Sequence, residues 1–153
     1  TLIEPQAARK ALKLAFDIAI AESLPLPAGF VRQVLINLLL NAIEATPAHG
    51  RIRVTARRLA DQLRLEVTNE GMPPPPEILA HLFEPFVSGR EGGHGLGLWV
   101  TYQTIHQLNG HIAVECRDGE IRFVIHLPLQ PNERPASATL GAGGTASAKE
   151  ASP

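Results

Sequence analysis

The sequence predicts an α+β sandwich, a mixed sheet with helices on one face. Three observations carry this. Apolar residues alternate at period two in several short runs, recur at helical spacing in others, and the paired strand runs are joined by tight turns. Strictly alternating strand and helix units would give a doubly wound parallel sheet, and the order along the chain is different.

Residues 4–14 have helix-forming composition, with Ala7, Ala8, Ala11, Leu12 and Leu14 offering an apolar side. Phe16, Ile18 and Ile20 then alternate with Asp17 and Ala19, the mark of a short strand. Residues 23–29 hold two prolines and a glycine and read as a loop. A helix is predicted over 30–45, closed by Pro47 and Gly50. Strands follow over 51–59 and 63–68, with Ala60, Asp61 and Gln62 as the turn. Gly71 and the run Pro73, Pro74, Pro75, Pro76 interrupt regular structure before a short helix at 77–82. A glycine-rich stretch, 88–97, leads into a longer helix ending near Asn109 and Gly110. Strands over 111–116 and 121–127 form a hairpin around Asp118 and Gly119.

At 153 residues the chain can bury one substantial core. The predicted domain occupies 1–129. Residues 130–153 are rich in Ala, Gly, Ser, Thr and Pro, which predicts a disordered tail. The formal net charge of −1 gives none of the basic excess expected of a protein that coats nucleic acid. No stretch approaches the ~20 apolar residues of a membrane span. The most apolar region, 31–45, is interrupted by Arg32, Gln33, Asn37, Asn41 and Glu44. The lone Cys116 fits a reducing compartment and a small apolar role in its strand. The only methionine is Met72, which suggests a domain taken from a longer protein. Neither HExxH nor a Cys/His cluster is present, so zinc is not expected.

Asn37 and Asn41 stand four apart and therefore share one helix face, beside Leu35, Ile36, Leu38, Leu39, Leu40, Ala42 and Ile43. Burying amides without partners is costly, so the pair reads either as a site for a polar ligand or Mg²⁺, or as a solvated stripe. Gly93, Gly95 and Gly97 precede a helix, where free backbone N–H groups and the helix dipole favour phosphate; such runs also serve as linkers. The spacing is neither GxGxxG nor GxxxxGK[ST]. Asn69 and Gly71 close a strand, a place for ligand contacts or for a simple turn asparagine.

Taken together and in order, these elements resemble the GHKL ATPase superfamily, and within it the histidine-kinase catalytic domain. Residues 33–42, QVLINLLLNA, resemble the N box. Asn69-Glu70-Gly71 stands where the family's first glycine box has Asp-x-Gly. Phe83-Glu84-Pro85-Phe86 resembles the F box and 93–98 the second glycine box. Phe123 with Leu127 and Pro128 resembles the closing strand, and the likeness covers about 12–128. It implies a two-layer sandwich with a mostly antiparallel sheet, ATP and Mg²⁺ as cofactors, and a place in a bacterial two-component system.

The resemblance also implies roles. Asn41 would give an amide oxygen to Mg²⁺, with Asn37 assisting at the metal–phosphate cluster. Asn69 would face the adenine amino group and Gly71 would let the backbone pass beneath the base. Gly93, Gly95, Leu96, Gly97 and Leu98 would shape the phosphate side, and 88–92 a short mobile lid. Arg90 would reach the γ-phosphate or stay an exposed loop charge. Phe83 and Phe86 would anchor the lid. GHKL enzymes that hydrolyse ATP carry a water-activating glutamate at the position of Asn37. An amide there has no useful basicity, which favours keeping ATP intact for an acceptor imidazole. The departures are Asn69 for aspartate, Pro73 for the second glycine of its box, and Glu120-Ile121 for a common Gly-Thr.

None of the six histidines, His49, His81, His94, His106, His111 and His126, has the family's phosphoacceptor context. His94 and His106 read as an exposed loop residue and a helix-packing one. The implied function is phosphoryl transfer from ATP to a histidine on a separate dimerisation helix, with those helices and a downstream response regulator as partners. Neither nucleic acid nor direct membrane contact is expected, and the implied location is the cytoplasm, possibly on a membrane-bound sensor. The other reading is a degenerate nucleotide fold that serves as a protein-interaction module.

Overall fold

The computed structural model describes residues 3–20, 24–85 and 97–129, with backbone alone at 3 and 4. The predicted tail and the stretch 86–96 lie outside the described residues, and with them Phe86, Arg90, Gly93, His94, Gly95 and Leu96.

The chain runs α1 (Ile3–Arg9), β1 (Lys13–Ala19), α2 (Ala28–Ala45), β2 (Arg51–Leu59), β3 (Gln62–Glu70), α3 (Pro76–Leu79), α4 (Gly97–Gln107), β4 (His111–Arg117) and β5 (Glu120–Pro128). The strands form one sheet in the order β1-β2-β3-β5-β4. Only β1–β2 is parallel; β2–β3, β3–β5 and β4–β5 are antiparallel. This is the mixed α+β sandwich that the sequence predicts.

Alternation explains how one face of the sheet becomes the core. Ile52, Val54 and Ala56 on β2 and Leu63, Leu65 and Val67 on β3 are buried, as are Ile121, Phe123, Ile125 and Leu127 on β5. Asn69 is in line with them, opposite Ile52 and Ile121 in register. The other face carries Arg57 bound to Asp17, Arg64 bound to Glu66, and Arg122 between Glu66 and Glu115. Exposed ion pairs of this sort contribute at most ~1 kcal/mol each.

On the apolar face α2 packs against β3, and it is flanked by α4 and α1. Its buried side is Val34, Leu38, Leu39, Ala42 and Ile43. By length and composition this helix could cross a membrane, but those five side chains are spent on the sheet and neighbouring helices, as in the core helix of a globular domain.

The structure corrects the start of the chain. The first helix stops at Arg9 rather than near residue 14, and β1 begins at Lys13. Two long-range attractions outweigh local helix propensity. Lys13 N–H donates to Gly50 C=O at 2.9 Å, which starts the parallel ladder. Lys10 leaves the helix and its ammonium donates to the carbonyls of Ile43 (2.6 Å), Glu44 (3.0 Å) and Thr46 (2.9 Å). It thereby caps the C-terminal end of α2, where the helix dipole favours a cation. Ala11, between them, takes a left-handed φ of 56° to make the bend.

Cys116 lies half-buried on β4, and burial pushes its thiol above the ordinary value. Its thiolate fraction near neutral pH is therefore lowered. At pH 8 alkylation by iodoacetamide should run several-fold slower than for an unfolded control, and should accelerate as pH rises further. Replacing Lys10 by Met should lower stability by about 1–2 kcal/mol, seen as an earlier urea midpoint with unchanged m-value.

Candidate functional site

The candidate site gathers where α2 ends and β3 turns out of the sheet. Asn37 and Asn41 are both half-buried, on the flank of α2 rather than in its apolar side. This settles the earlier choice only in part, because neither is fully buried nor fully solvated. Gln33 Nε2 donates to Asn37 Oδ1 at 3.0 Å, an i,i+4 amide pair on the helix surface. An amide oxygen has two lone pairs, so this bond leaves Asn37 Oδ1 with further acceptor capacity. Gln33 was not singled out from the sequence, although its spacing to Asn37 carried the signal.

Asn69 is 1% exposed, at the last full turn of the ladder before β3 ends. Its Nδ2 donates to Glu70 C=O at 3.0 Å. Its Oδ1 is buried and has no hydrogen-bond partner among the described residues. A buried acceptor left unpaired costs about 1–3 kcal/mol, so its place invites a donor. Because Nδ2 is committed to the backbone, the group presented is an acceptor.

Gly71 follows with φ 156°, and a Cβ there would lie 2.9 Å from Ala45 C=O and 3.4 Å from Asn69 Nδ2. The backbone of Gly71 thus runs directly against the last turn of α2, one turn beyond Asn41. Its N–H donates to Gly119 C=O at 3.0 Å, which joins it to the β4–β5 turn. Glu70 Oε1 accepts from Arg51 N–H at 3.0 Å and holds the other side. Beside this junction a groove of about 420 Å³ is lined by Ala45, Thr46, Met72, Pro73, Pro74 and Ile121, among others. Ile121 is the register neighbour of Asn69, so the groove opens next to the buried amide. Pro73 and Ile121, two of the departures noted in the sequence, form apolar walls.

Gly97 opens α4, and among the described residues nothing lies within 4 Å of where its Cβ would be. Packing does not demand a glycine there. Thr101, fully buried, donates from Oγ1 to Gly97 C=O at 2.9 Å and holds the first turn. Leu98 is partly buried against the core. Phe83 of the Phe-Glu-Pro-Phe motif stacks on Tyr102 of α4, with centroids 5.7 Å apart, and meets Phe123 edge-on at 6.2 Å. Tyr102 in turn meets His106, as the packing role of that histidine suggested. Phe83 thus packs between α4 and the sheet, while the lid it was expected to anchor lies outside the described residues. Among the described residues no three His, Cys, Asp or Glu side chains gather to hold a metal.

A model of the family described as histidine kinase-, DNA gyrase B- and HSP90-like ATPase matches residues 28–131. The chain belongs to this family. Within it the chain is a catalytic domain of the histidine-kinase type. It is 42% identical over 114 residues to the sensory histidine kinase/phosphatase NtrB of Rhodobacter capsulatus, covering 66% of this chain and 32% of that protein. The chain therefore spans about a third of that relative's length. The catalytic domain of the histidine kinase ThkA superposes with a TM-score of 0.75 at 31% identity, covering 83% and 85% of the two chains. ThkA has also been solved in complex with the response regulator protein TrrA (TM-score 0.72, 29% identity, 87% and 39% covered). Full-length ShkA in complex with AMPPNP matches with a TM-score of 0.69 at 29% identity, over 84% and 28%. These likenesses favour the catalytic reading over the degenerate interaction module.

A methyl group at Gly71 would meet the α2 carbonyl. Gly71→Ala should therefore cost about 1–3 kcal/mol in urea unfolding. Gly97→Ala should leave stability unchanged or raise it by up to ~1 kcal/mol, since its surroundings are open and alanine is the better helix former.

Proposed function

We propose that this chain binds Mg·ATP and serves as the catalytic domain that passes the γ-phosphoryl group to a histidine on a dimerisation helix of the same kinase. The observation that carries the reading is the buried, unpartnered Oδ1 of Asn69 beside Gly71. An acceptor held in that place suits an exocyclic amine such as that of adenine. The apolar groove walls at Ala45 and Ile121 suit the faces of a flat base.

The donor set fits a hard cation. Asn41 offers an amide oxygen, and Mg²⁺ usually takes few protein ligands while phosphates and waters complete its shell. Bound there, the ion would neutralise charge on the phosphates. Asn37, whose oxygen accepts from Gln33, would assist at the metal–phosphate cluster. It supplies no base, so water in the site stays inactive and ATP persists until an acceptor arrives. The first turn of α4, from Gly97 and Leu98, would direct backbone N–H groups at phosphate, with Gly93, Gly95 and Leu96 completing that side. Arg90 would stabilise charge on the transferring group. A response regulator would take the phosphoryl group from the histidine, a step that the ThkA–TrrA complex supports by likeness. The proposed location is the cytoplasm, without direct contact of this domain with membrane or nucleic acid.

A titration with a fluorescent ATP analogue, with and without Mg²⁺, tests the reading. Binding should tighten with Mg²⁺, and phosphate release without an acceptor should be negligible. Asn41→Ala should weaken binding about tenfold with Mg²⁺ and much less without it, whereas Asn69→Ala should weaken both alike. Absence of binding at millimolar nucleotide, or rapid phosphate release, would overturn the proposal.

A further inference from the structure

The aromatic chain behind the glycine-rich segment involves a residue that the motifs do not include. Tyr102 is half-buried on α4, one position after Thr101, which holds Gly97. Its ring stacks on Phe83 with an interplanar angle of 22°, and Phe83 rests edge-on, at 74°, against Phe123 in the sheet. On its other side Tyr102 meets His106 at 4.9 Å and 75°, with the phenol oxygen 3.2 Å from Nε2. His106 is i+4 from Tyr102 and so backs the ring from the next turn of the same helix.

We infer that Tyr102 is a positioning residue for the nucleotide's phosphates. It makes no contact with nucleotide in this role. It locks α4 laterally to Phe83, which the sheet already holds through Phe123, and so sets where the first turn of α4 points. The contact also joins the chain on both sides of the segment 86–96, since Phe83 precedes it and Tyr102 follows it. A donor array aimed at phosphate works only when it is held in place beforehand; an array that must be ordered on binding gives up part of its affinity to that ordering. Neither Tyr102 nor Phe83 lines the groove beside Asn69, whose walls come from the end of α2, residues 72–75 and Ile121. Tyr102 therefore governs triphosphate binding and leaves base binding alone. The sequence carried a faint signal, the i,i+4 spacing of Tyr102 and His106, but nothing in it tied either to Phe83.

The inference rests on the nucleotide reading above, and one comparison separates the two. The affinities of ATP and AMP are measured, both with Mg²⁺, for the wild-type chain, Tyr102→Ala, Tyr102→Leu and Tyr102→Phe, with thermal unfolding of each. Tyr102→Ala and Tyr102→Leu should weaken ATP about five- to tenfold and AMP less than twofold, while Tyr102→Phe, which keeps the stack and loses the phenol, should restore ATP to within twofold. Equal weakening of ATP and AMP, or unchanged ATP affinity in a folded variant, would overturn the role of Tyr102. Should the alanine variant fail to fold, the leucine variant decides by the same ratio. If wild-type protein binds neither nucleotide, the nucleotide reading itself falls, and this inference with it.

Discussion

The end of α2 is a crowded place, and most of the domain's geometry follows from that crowding. Its last carbonyls receive three hydrogen bonds from the Lys10 ammonium, and the carbonyl of Ala45 sits 2.9 Å from where Gly71 would carry a side chain. Thr46, 1% exposed, turns its hydroxyl back to Ala42 C=O, and Gly50 fits under Thr46 and Pro47 where no larger residue could. With so little free volume, α2, β2 and β3 have one way to meet. Gly71, two residues after Asn69, is thereby held against the Ala45 carbonyl, one helical turn beyond Asn41.

That arrangement also separates two tasks. The apolar side of α2 stabilises the fold, at ~1.5–3 kcal/mol for each large side chain removed from water. Its amide flank, Asn37 and Asn41, is half-buried and stands outside that apolar side. A buried oxygen at Asn69 without a partner is a cost carried by the unliganded domain.

Much of the fold was legible because its signals were local and redundant. β2 was delimited to the residue, since Arg and Thr alternate with Ile, Val and Ala there. The hairpin turn at Asp118 and Gly119 was readable from its residues, and both take positive φ. The motifs of the site were legible as an ordered set, and Gly71, beside Asn69, does pack against the last turn of α2. What stayed hidden depended on partners distant in sequence. Residues 10–14 look helical on propensity alone, and only the pull of Gly50 and of the α2 carbonyls makes them otherwise. Tyr102 looked like one more helical residue until Phe83 was placed against it.

The hydrogen bond from Gly71 to Gly119 has a wider meaning. The chain between these two glycines leaves β3 with the tetraproline run, carries α3 and α4, and rejoins the sheet in β4 before the last hairpin turn. Such a detour is tied at its neck, and the entropic penalty of lengthening it grows only logarithmically, by about 0.6 kcal/mol per doubling. Insertions or deletions in the excursion can thus be absorbed without disturbing the sheet. The scaffold is free to keep its frame while the chain between these strands changes length.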